Sequence, residues 1–535
     1  MAEPTGGAGT GSGLAGQGGA GPADASAQFL APREVMIVLP GLLMAILLAM
    51  LDNLIVSTAL PRIVGDLGGV AHLSWVVTAY ILASTITTPF YGKLGDMYGR
   101  KTFFVAAIII FLVGSALSGL SQTMAELIAF RAIQGLGAGG LMVGAMATLG
   151  DIVAPRERGR YMSYMMVVMM LATIGGPLLG GFITTSFSWR WIFYINIPLG
   201  GAALVYLLAT LRVPAKKVSH RVDYLGGSLL AVAATALILL ATWGGTQYAW
   251  GSPQIIGLAV ATAAAAAGFC YTETRAAEPM LPLHVFRNRN FSLSMTMTFL
   301  TGLAMFGAMT FLPLYQQTVQ GESPTISGLA LTPMMLGVTV TSIVAGQVTT
   351  KTGRYKVFPI LGGGIMAVGM YLLTGLGVGT SRLTSALFYV VLGLGMGFLM
   401  QMVSLIAQNS VEQKDMGVAS SARMFFQQIG GSLGVAAFGA IFARQLTTSL
   451  AAATGPGVHI SASGGQLDPA TVNTLPAPVR HDVFLAIAHA VQHVFVWALP
   501  AAVIIFALAW FIKEVPLRGR APSAEAASQE PELVS

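Results

Sequence analysis

The sequence predicts an all-α integral membrane protein, with fourteen transmembrane helices arranged as two six-helix bundles and two extra linker helices. Composition is the first indication: of 535 residues, 55% are hydrophobic and only 9% are charged, whereas soluble globular chains carry about 25% charged residues. The second is a series of apolar segments, each close to the roughly 20 residues that a helix needs to cross a bilayer. The third is an internal repeat.

The elements begin after a Gly/Ala/Ser-rich stretch over 1–33, which has too few large apolar side chains to fold and is predicted to be a disordered tail. Helices are expected beyond it, because open strands would leave backbone groups unsatisfied in lipid. The predicted spans are 35–57, 73–93, 103–121, 124–147, 161–184, 191–211, 224–243, 254–272, 291–315, 327–348, 357–377, 383–407, 420–443 and 490–512.

Several classes of protein are excluded by the same composition. The net charge of +7 comes from short basic clusters between apolar segments, which argues against a nucleic-acid partner. The single cysteine, Cys270, cannot form an internal disulfide or a cysteine-based metal site. No Walker A phosphate loop is present, so ATP-driven transport is not expected. We expect no enzyme activity, no metal site and no cofactor.

Orientation follows from the distribution of Lys and Arg in the loops. An even number of spans places both termini on one side, and we count 21 of the 28 basic residues on that side and five on the other. Basic loops face the cytoplasm, so both termini, including the tail 514–535, are predicted to be cytoplasmic. The longest connection on the outer side, 444–489, is predicted to be a mobile loop. The excess of Arg over Lys, with abundant Ala and Gly, indicates the cytoplasmic membrane of a high-GC bacterium.

The internal repeat divides the chain. A shift of 258 residues aligns Phe130–Met142 with Phe388–Met400 at seven identical positions of thirteen. We therefore predict an N-terminal bundle over 34–212, two extra helices with linkers over 213–290, and a C-terminal bundle over 291–513. Two similar bundles around a site at the membrane midplane are typical of transporters.

Five motifs occur in order along the N-terminal half: LDNLIVSTALP in span one, GKLGDMYGRK after span two, FRAIQGLGAGG in span four, GGPLLGG in span five and WRWIFYINIP at the start of span six. With these motifs the chain resembles the major facilitator superfamily, in its fourteen-span drug–proton antiporter branch, from about 35 to 512. The resemblance implies the major facilitator fold and alternating access. It also implies a conformational lock between the halves at Gly92, Asp96, Gly99 and Arg100, and an antiporter motif at Gly176, Pro177, Gly180 and Gly181.

The sequence departs from that pattern at three positions. Ala172 and Ser163 stand where the antiporter motif usually has glycine, and both remain small. Thr350 occupies the place of Asp96 in the second half. Asp96 is therefore expected to act mainly from the first half, by capping a helix N-terminus and pairing with Arg100 or Lys101. The alternative is a solvated acid in a turn.

Two charges are predicted to lie at one depth in the membrane. Asp52 is eight residues from the outer end of span one and Arg131 is nine from the outer end of span four, which places both roughly 12–14 Å deep. At the 258-residue shift Arg131 corresponds to Tyr389 and Gln134 to Leu392, so the bundle needs neither polar group for packing. We predict that Asp52 and Arg131 couple transport to protons; the alternative is a static ion pair.

The remaining polar residues inside the spans are candidates for a substrate cavity. Flexible methionines on span five would suit varied lipophilic ligands, although such residues are more often core or lipid-facing. The expected partners are a small lipophilic or cationic substrate, protons as the coupling ion, and membrane lipid. The cavity candidates are Asn53, Gln134, Gln401, Gln408, Asn409, Arg423 and Gln427.

The function expected from these features is proton-coupled export of lipophilic or cationic drugs or antibiotics. Two alternatives stay open. The same scaffold can export an endogenous lipid, a siderophore or a self-made antibiotic, or it can be a transport-inactive membrane sensor. The joint presence of Asp52, Arg131 and GGPLLGG argues against the sensor.

Overall fold

The computed structural model describes residues 30–67, 73–153, 155–211, 223–245, 247–276, 279, 281–322, 324–412, 415–454 and 477–517. Apart from a short 3₁₀ helix at Leu283–Arg287, regular structure in these ranges is α-helical. The helices are α1 Pro32–Leu67, α2 Leu73–Tyr98, α3 Arg100–Leu120, α4 Met124–Ile152, α5 Pro155–Ser186, α6a Trp191–Tyr194, α6b Asn196–Thr210, α7 Tyr224–Trp243, α8 Pro253–Glu273, α9 Arg289–Thr318, α10a Pro324–Leu329, α10b Thr332–Thr352, α11 Val357–Leu373, α12 Arg382–Asn409, α13 Met416–Thr454 and α14 Ala477–Trp510.

Twelve helices in the described part of the chain are long and apolar enough to cross a membrane. The two predicted spans outside that set correspond to α2, which is rich in Ser and Thr, and to α11, which has 17 residues. At 1.5 Å per residue, α11 is about 26 Å long, slightly shorter than a hydrocarbon layer of roughly 30 Å. The chain is therefore a multi-pass helical membrane protein, and the count of fourteen spans stays a prediction.

Glycines set the helix packing in both halves in the same way. On α4, Gly135 abuts the backbone of α2 at Tyr80, while Gly137 abuts α3 at Phe111. On α12, Gly393 abuts α10b and Gly395 abuts α11. An added methyl group would overlap backbone atoms at each of these four glycines. The equivalent positions of the repeat thus hold the same helices together, because small residues let helix backbones approach closely in lipid.

The two halves meet along two seams. Helix α5 packs against α10b, and α13 packs against α2 and α4. Helices α7 and α8 pack on one another, and α7 lies against α2 and α13, beside the second seam. We call the membrane face that carries Pro32, Tyr98 and Arg100 the basic face, and the other the opposite face.

The predicted loop 444–489 is wrong at both of its ends. Helix α13 continues to Thr454, and α14 begins at Ala477; residues 455–476 lie outside the described residues. The ten helical residues after Arg444 include three Ala and two Leu, which have high helix propensity, so the helix continues beyond the apolar stretch. Of the predicted tails, 1–29 and 518–535 lie outside the described residues, and α1 already begins at Pro32.

Candidate functional site

An ion pair lies in the interior of the N-terminal half. The Nη1 atom of Arg131 on α4 is 2.6 Å from Oδ2 of Asp52 on α1, and both side chains are fully buried. The depth estimate from the sequence placed these residues at one level, and the structure joins them directly. A charge within a membrane helix is costly, and such residues usually serve function.

Three donors converge on the carboxylate of Asp52. Besides Arg131, the amide Nε2 of Gln134 donates to Oδ1 at 2.8 Å, and Nδ2 of Asn196 on α6b donates to the same oxygen at 2.7 Å. Arg131 also donates to Oε1 of Gln134 at 2.7 Å. Gln134, predicted as a cavity residue, therefore belongs to the ion pair in this conformation. The four polar residues form one network, the Asp52 network.

Aromatic rings close this network. The guanidinium of Arg131 lies 4.1 Å from the ring centroid of Tyr80 and 5.9 Å from that of Phe193, distances at which cations interact favourably with ring faces. Its Nε donates to the carbonyl of Val76 at 3.3 Å. In this conformation the interior of the N-terminal bundle therefore encloses both Asp52 and Arg131.

Sequence analysis assigned no role to Asn196. Its Nδ2 also lies 2.9 Å from Oγ of Ser115 on α3, which in turn donates to the carbonyl of Phe193. An amide inside the apolar segment that opens span six was the available signal, since a buried amide needs partners. Asn196 extends the Asp52 network from α1 and α4 to α3 and α6b.

The network distinguishes the two protonation states of Asp52. The ionised carboxylate accepts from three donors and neutralises Arg131. A protonated carboxyl would lose its charge-assisted bond with the guanidinium, which is the strongest of the three. Arg131 would then be a buried cation with one side-chain acceptor, Gln134, and that imbalance favours rearrangement.

The predicted lock at the basic face has a different form from that expected. Residues Gly92 to Tyr98 are the last turns of α2, and only Gly99, with φ of 103°, makes the turn into α3. Nε of Arg100 pairs with Oδ2 of Asp151 at the end of α4, 2.7 Å away, and its Nη1 donates to the carbonyl of Gly92 at 3.2 Å. Asp151 was missed. Asp96 lies within α2, not in a loop, and its side chain lies outside the described part of the structure.

Gly92 is also where the halves meet at the basic face. A side chain at Gly92 would overlap Ser421 and the carbonyl of Gly417, both on α13. About two turns further along α2, the hydroxyl of Thr85 donates to Oε1 of Gln428 on α13. These contacts close the seam between α2 and α13 from the basic face towards the middle of the membrane.

Arg158 forms a second contact between the halves that sequence analysis missed. Assigned to a loop, it is fully buried in the first turn of α5. Its guanidinium donates to the carbonyls of Gly150 and Val153 and reaches across to Oε1 of Gln408 on α12, 3.4 Å away. Such a hydrogen-bonded arginine ties the end of α4 to the C-terminal half.

The antiporter motif lies where α5 meets α1. A side chain at Gly176 would overlap the Cβ atom of Leu54. Gly180 is buried and its carbonyl accepts from Thr184; Gly181 lies beside it, and the side chain of Pro177 lies outside the described part. At the departures from the motif, Ala172 is buried and the hydroxyl of Ser163 donates to the carbonyl of Ser342 on α10b at 3.3 Å.

Two of the predicted cavity residues are misplaced. Gln408 lies next to Arg158 and donates to Ser420 at 3.4 Å, and Asn409 lies within reach of the carbonyl of Pro516, at 3.5 Å. Both are at the basic-face end of α12, because that helix ends at Asn409. They therefore belong to the contacts that close this face.

The other candidates lie deeper. Nη1 of Arg423 on α13 donates to Oε1 of Gln427 at 2.9 Å, and Gln401 is fully buried on α12. Asn53 is partly buried on α1, beside Asp52. Three of these deeper candidates, Gln401, Arg423 and Gln427, thus belong to the C-terminal half, whereas the Asp52 network belongs to the N-terminal half.

A separate polar pocket of about 760 Å³ opens at the opposite face. Its lining includes Asp66, Gln122 and Arg190, and Asp66 accepts a hydrogen bond from Nε1 of Trp189 at 2.8 Å. Asp66 is 14 residues beyond Asp52 on α1, about 21 Å along the helix. This pocket is therefore remote from the ion pair.

The fold and the site together define a membrane transporter, built from two similar helical halves with charged residues enclosed between helices. The profile of the Major Facilitator Superfamily matches residues 42–435. The chain belongs to this superfamily, whose members move small molecules across membranes and are not enzymes.

Similar proteins agree with that assignment. The chain is 40% identical over 494 residues to an uncharacterized MFS-type transporter from Mycobacterium tuberculosis, covering 92% of this chain and 72% of that protein. It is 39% identical over 405 residues to the multidrug transporter protein MdtP from Bacillus subtilis, covering 76% and 75%. Its fold is similar to that of the human organic anion transporter MFSD10, with a TM-score of 0.62 and 13% identity over 90% of this chain and 100% of that chain.

Proposed function

We propose that this protein is a fourteen-span, proton-coupled antiporter that exports lipophilic or cationic drugs across a bacterial cytoplasmic membrane by alternating access, with both termini cytoplasmic. The observation that carries the proposal is the fully buried pair of Asp52 and Arg131, held by two amides. The name of the Bacillus subtilis relative, a multidrug transporter, supports the proposed substrate class.

The coupling step follows from the two states of Asp52. A proton that enters from outside neutralises Asp52 and releases Arg131 from its partner. The freed guanidinium shifts towards other acceptors, and the packing of α4 against α1 and α6b changes with it. Loss of the proton to the cytoplasm restores the ion pair. One charge that crosses 100 mV releases about 2.3 kcal/mol, and this free energy is available to the cycle.

Access at the basic face is governed by the contacts that close it here. Substrate entry from the cytoplasm requires separation of Gly92 from Ser421 and of Arg158 from Gln408. Both contacts join opposite halves, whereas the pair of Arg100 and Asp151 lies within the N-terminal half. The conformation described is therefore closed at the basic face. The pair of Arg100 and Asp151 reinforces the end of α4, to which Arg158 donates its hydrogen bonds.

The test is efflux in cells that express the protein. We expect expression to lower the accumulation of a fluorescent cationic dye such as ethidium, and a protonophore to abolish the difference from cells with an empty vector. Equal accumulation for ethidium and for a panel of lipophilic drugs would contradict the proposed function. Export that persists after the protonophore, with ATP depleted, would contradict proton coupling.

A further inference from the structure

Four arginines are buried in the described part of the structure: Arg100, Arg131, Arg158 and Arg423. The first two have carboxylate partners, and Arg158 donates to two carbonyl groups and an amide. Arg423 is different, because its hydrogen-bond acceptor is the neutral amide of Gln427. Among the described side chains, no carboxylate lies within ion-pair distance of Arg423.

The position of Arg423 makes this arrangement costly. Its side chain is only 7% exposed, and it lies seven residues into α13, about 10 Å from the basic-face end. A buried guanidinium without a counter-charge carries a desolvation penalty of several kcal/mol. Packing does not require the charge, since aliphatic residues fill buried positions on the same helix, such as Val418 and Ala422.

The surroundings of Arg423 supply further hydrogen-bonding groups. Helices α9 and α13 both run from the basic face to the opposite face, and Gly302 of α9 abuts the carbonyl of Gln427. One turn closer to the basic face on each helix are Thr298 and Arg423. The hydroxyl of Thr298 is buried and has no partner within the described part of the chain. A buried polar group without a partner calls for a ligand or water.

Helix α12 contributes at the same depth. Gln408 of α12 donates to Ser420 of α13, which is one turn closer to the basic face than Arg423. Because the two helices are antiparallel, Ser404, one turn from Gln408, lies in the layer of Arg423. Its hydroxyl is also buried and has no partner among the described residues. Helices α9, α12 and α13 contact one another, so this layer is a shared polar region of the C-terminal half.

We propose that Arg423 is an anion-binding residue of the substrate site and that it selects lipophilic substrates that carry a carboxylate or a similar acidic group. The substrate anion supplies the missing counter-charge, and hydroxyls such as that of Thr298 complete its hydrogen bonds. The inference rests on the proposed export function and adds lipophilic acids to its substrate class.

The test compares two probes with one fluorophore and opposite charges: N-dansyl-6-aminohexanoate, which ends in a carboxylate, and dansylcadaverine, which ends in an ammonium group. Binding to the purified full-length protein is followed by dansyl fluorescence. We expect Arg423→Gln to weaken carboxylate binding by about tenfold or more, the loss of one charge-assisted pair, and not to weaken ammonium binding. Arg423→Lys keeps the charge and should stay within about threefold of the unaltered protein.

Arg444→Gln is the matched control, because Arg444 is exposed on the same helix; it should change neither affinity. Thermal unfolding verifies that each variant is folded. Equal effects of Arg423→Gln on both probes, or none, would overturn the proposal. Adding chloride to a low-salt zwitterionic buffer separates two sources of the anion: strong competition by chloride would assign the site to an inorganic ion and overturn the substrate assignment. Absence of proton-driven export would contradict the proposed function without affecting these binding results.

Discussion

The halves of α4 and α12 nearest the opposite face occupy equivalent places in the two bundles, yet their chemistry differs. Both helices are held to their neighbours by glycines at matching positions, Gly135 and Gly393 among them. One turn before Gly135 on α4 lies Arg131, which pairs with Asp52. In α12 the equivalent residue is Tyr389, whose hydroxyl accepts from Nε2 of Gln316 on α9 at 2.8 Å.

This comparison separates packing from function. The C-terminal half achieves the same helix arrangement with a neutral hydrogen bond, so the fold does not need a buried ion pair at this level. Replacing a buried ion pair by a neutral pair is often harmless or stabilising. The N-terminal half nevertheless keeps two charges and the amides of Gln134 and Asn196 around them. We infer that the charges are retained for the transport cycle.

The largest expected effect comes from removing the charge of Asp52. We expect Asp52→Asn to abolish pH-gradient-driven export in proteoliposomes, because an amide cannot titrate, while the glutamine and asparagine donors keep a partner. Asp52→Glu should retain part of the activity with a shifted pH optimum. Asp66→Asn is the control, since Asp66 lies on the same helix but is exposed at the opposite face. Full proton-driven export by Asp52→Asn would remove this residue from the mechanism.

The reverse exchange introduces a charge into the neutral half. Tyr389→Arg places a guanidinium where Gln316 is the available partner, and we expect a loss of about 3–5 kcal/mol of stability, as for a buried charge without a counter-ion. Tyr389→Phe removes only a hydrogen bond and should cost about 1 kcal/mol. Thermal unfolding in one detergent measures both. If Tyr389→Arg were as stable as Tyr389→Phe, charge at this depth would be cheap, and the functional reading of Arg131 would lose its basis.

A third prediction concerns the seam at the basic face. In Gly92→Val the new side chain overlaps Ser421 of the other half, so we expect the halves to separate there and the population open at this face to increase. Spin-label distances between the basic-face ends of α2 and α13 measure the change. Gly201→Val is the matched control, because no atom lies near that glycine on α6b. Identical distance distributions in both variants would mean that Gly92 does not hold the seam closed.

The smallest effect is expected at the edge of the Asp52 network. Asn196→Ala removes one of three donors to Asp52, and we expect a loss of about 1–3 kcal/mol of stability, typical of a hydrogen bond to a charged group. Proton-driven export should remain, because Arg131 and Gln134 still donate to the carboxylate of Asp52. Ser228→Ala on α7 is a neutral comparison, since Ser228 is exposed and bonds only within its own helix. An unchanged midpoint of thermal unfolding would mean that the bond from Asn196 to Asp52 does not stabilise the network.

The sequence predicted those features that follow from apolar length and from position along a helix. It located most spans, the repeat and the shared depth of Asp52 and Arg131. It missed Asn196, because the bond from that amide to Asp52 joins residues 144 apart in the chain. Such contacts depend on how helices rotate about their axes, which periodicity defines poorly in helices that are apolar on most sides.

The basic face shows the same limit. The glycines and Arg100 were identified as a lock, but the partner Asp151 is 51 residues away. Arg158 was counted as a loop residue, because it falls between the predicted spans 124–147 and 161–184, yet it is fully buried. Arg158 donates to carbonyl groups at the end of α4 and contacts Gln408 at the end of α12. This role can be recognised only when the ends of both helices have been placed relative to one another.

The central claim is that the ion pair of Asp52 and Arg131 carries coupling and does not merely hold the bundle together. The direct test is pH-gradient-driven export by the double variant Asp52→Asn/Arg131→Gln in proteoliposomes. Because both charges are removed, the variant should fold as stably as the unaltered protein. We predict that it is folded and binds the dansyl probes but shows no proton-driven export. Recovery of that export in the double variant, after its loss in each single variant, would show that the pair is structural and that the proton is carried elsewhere.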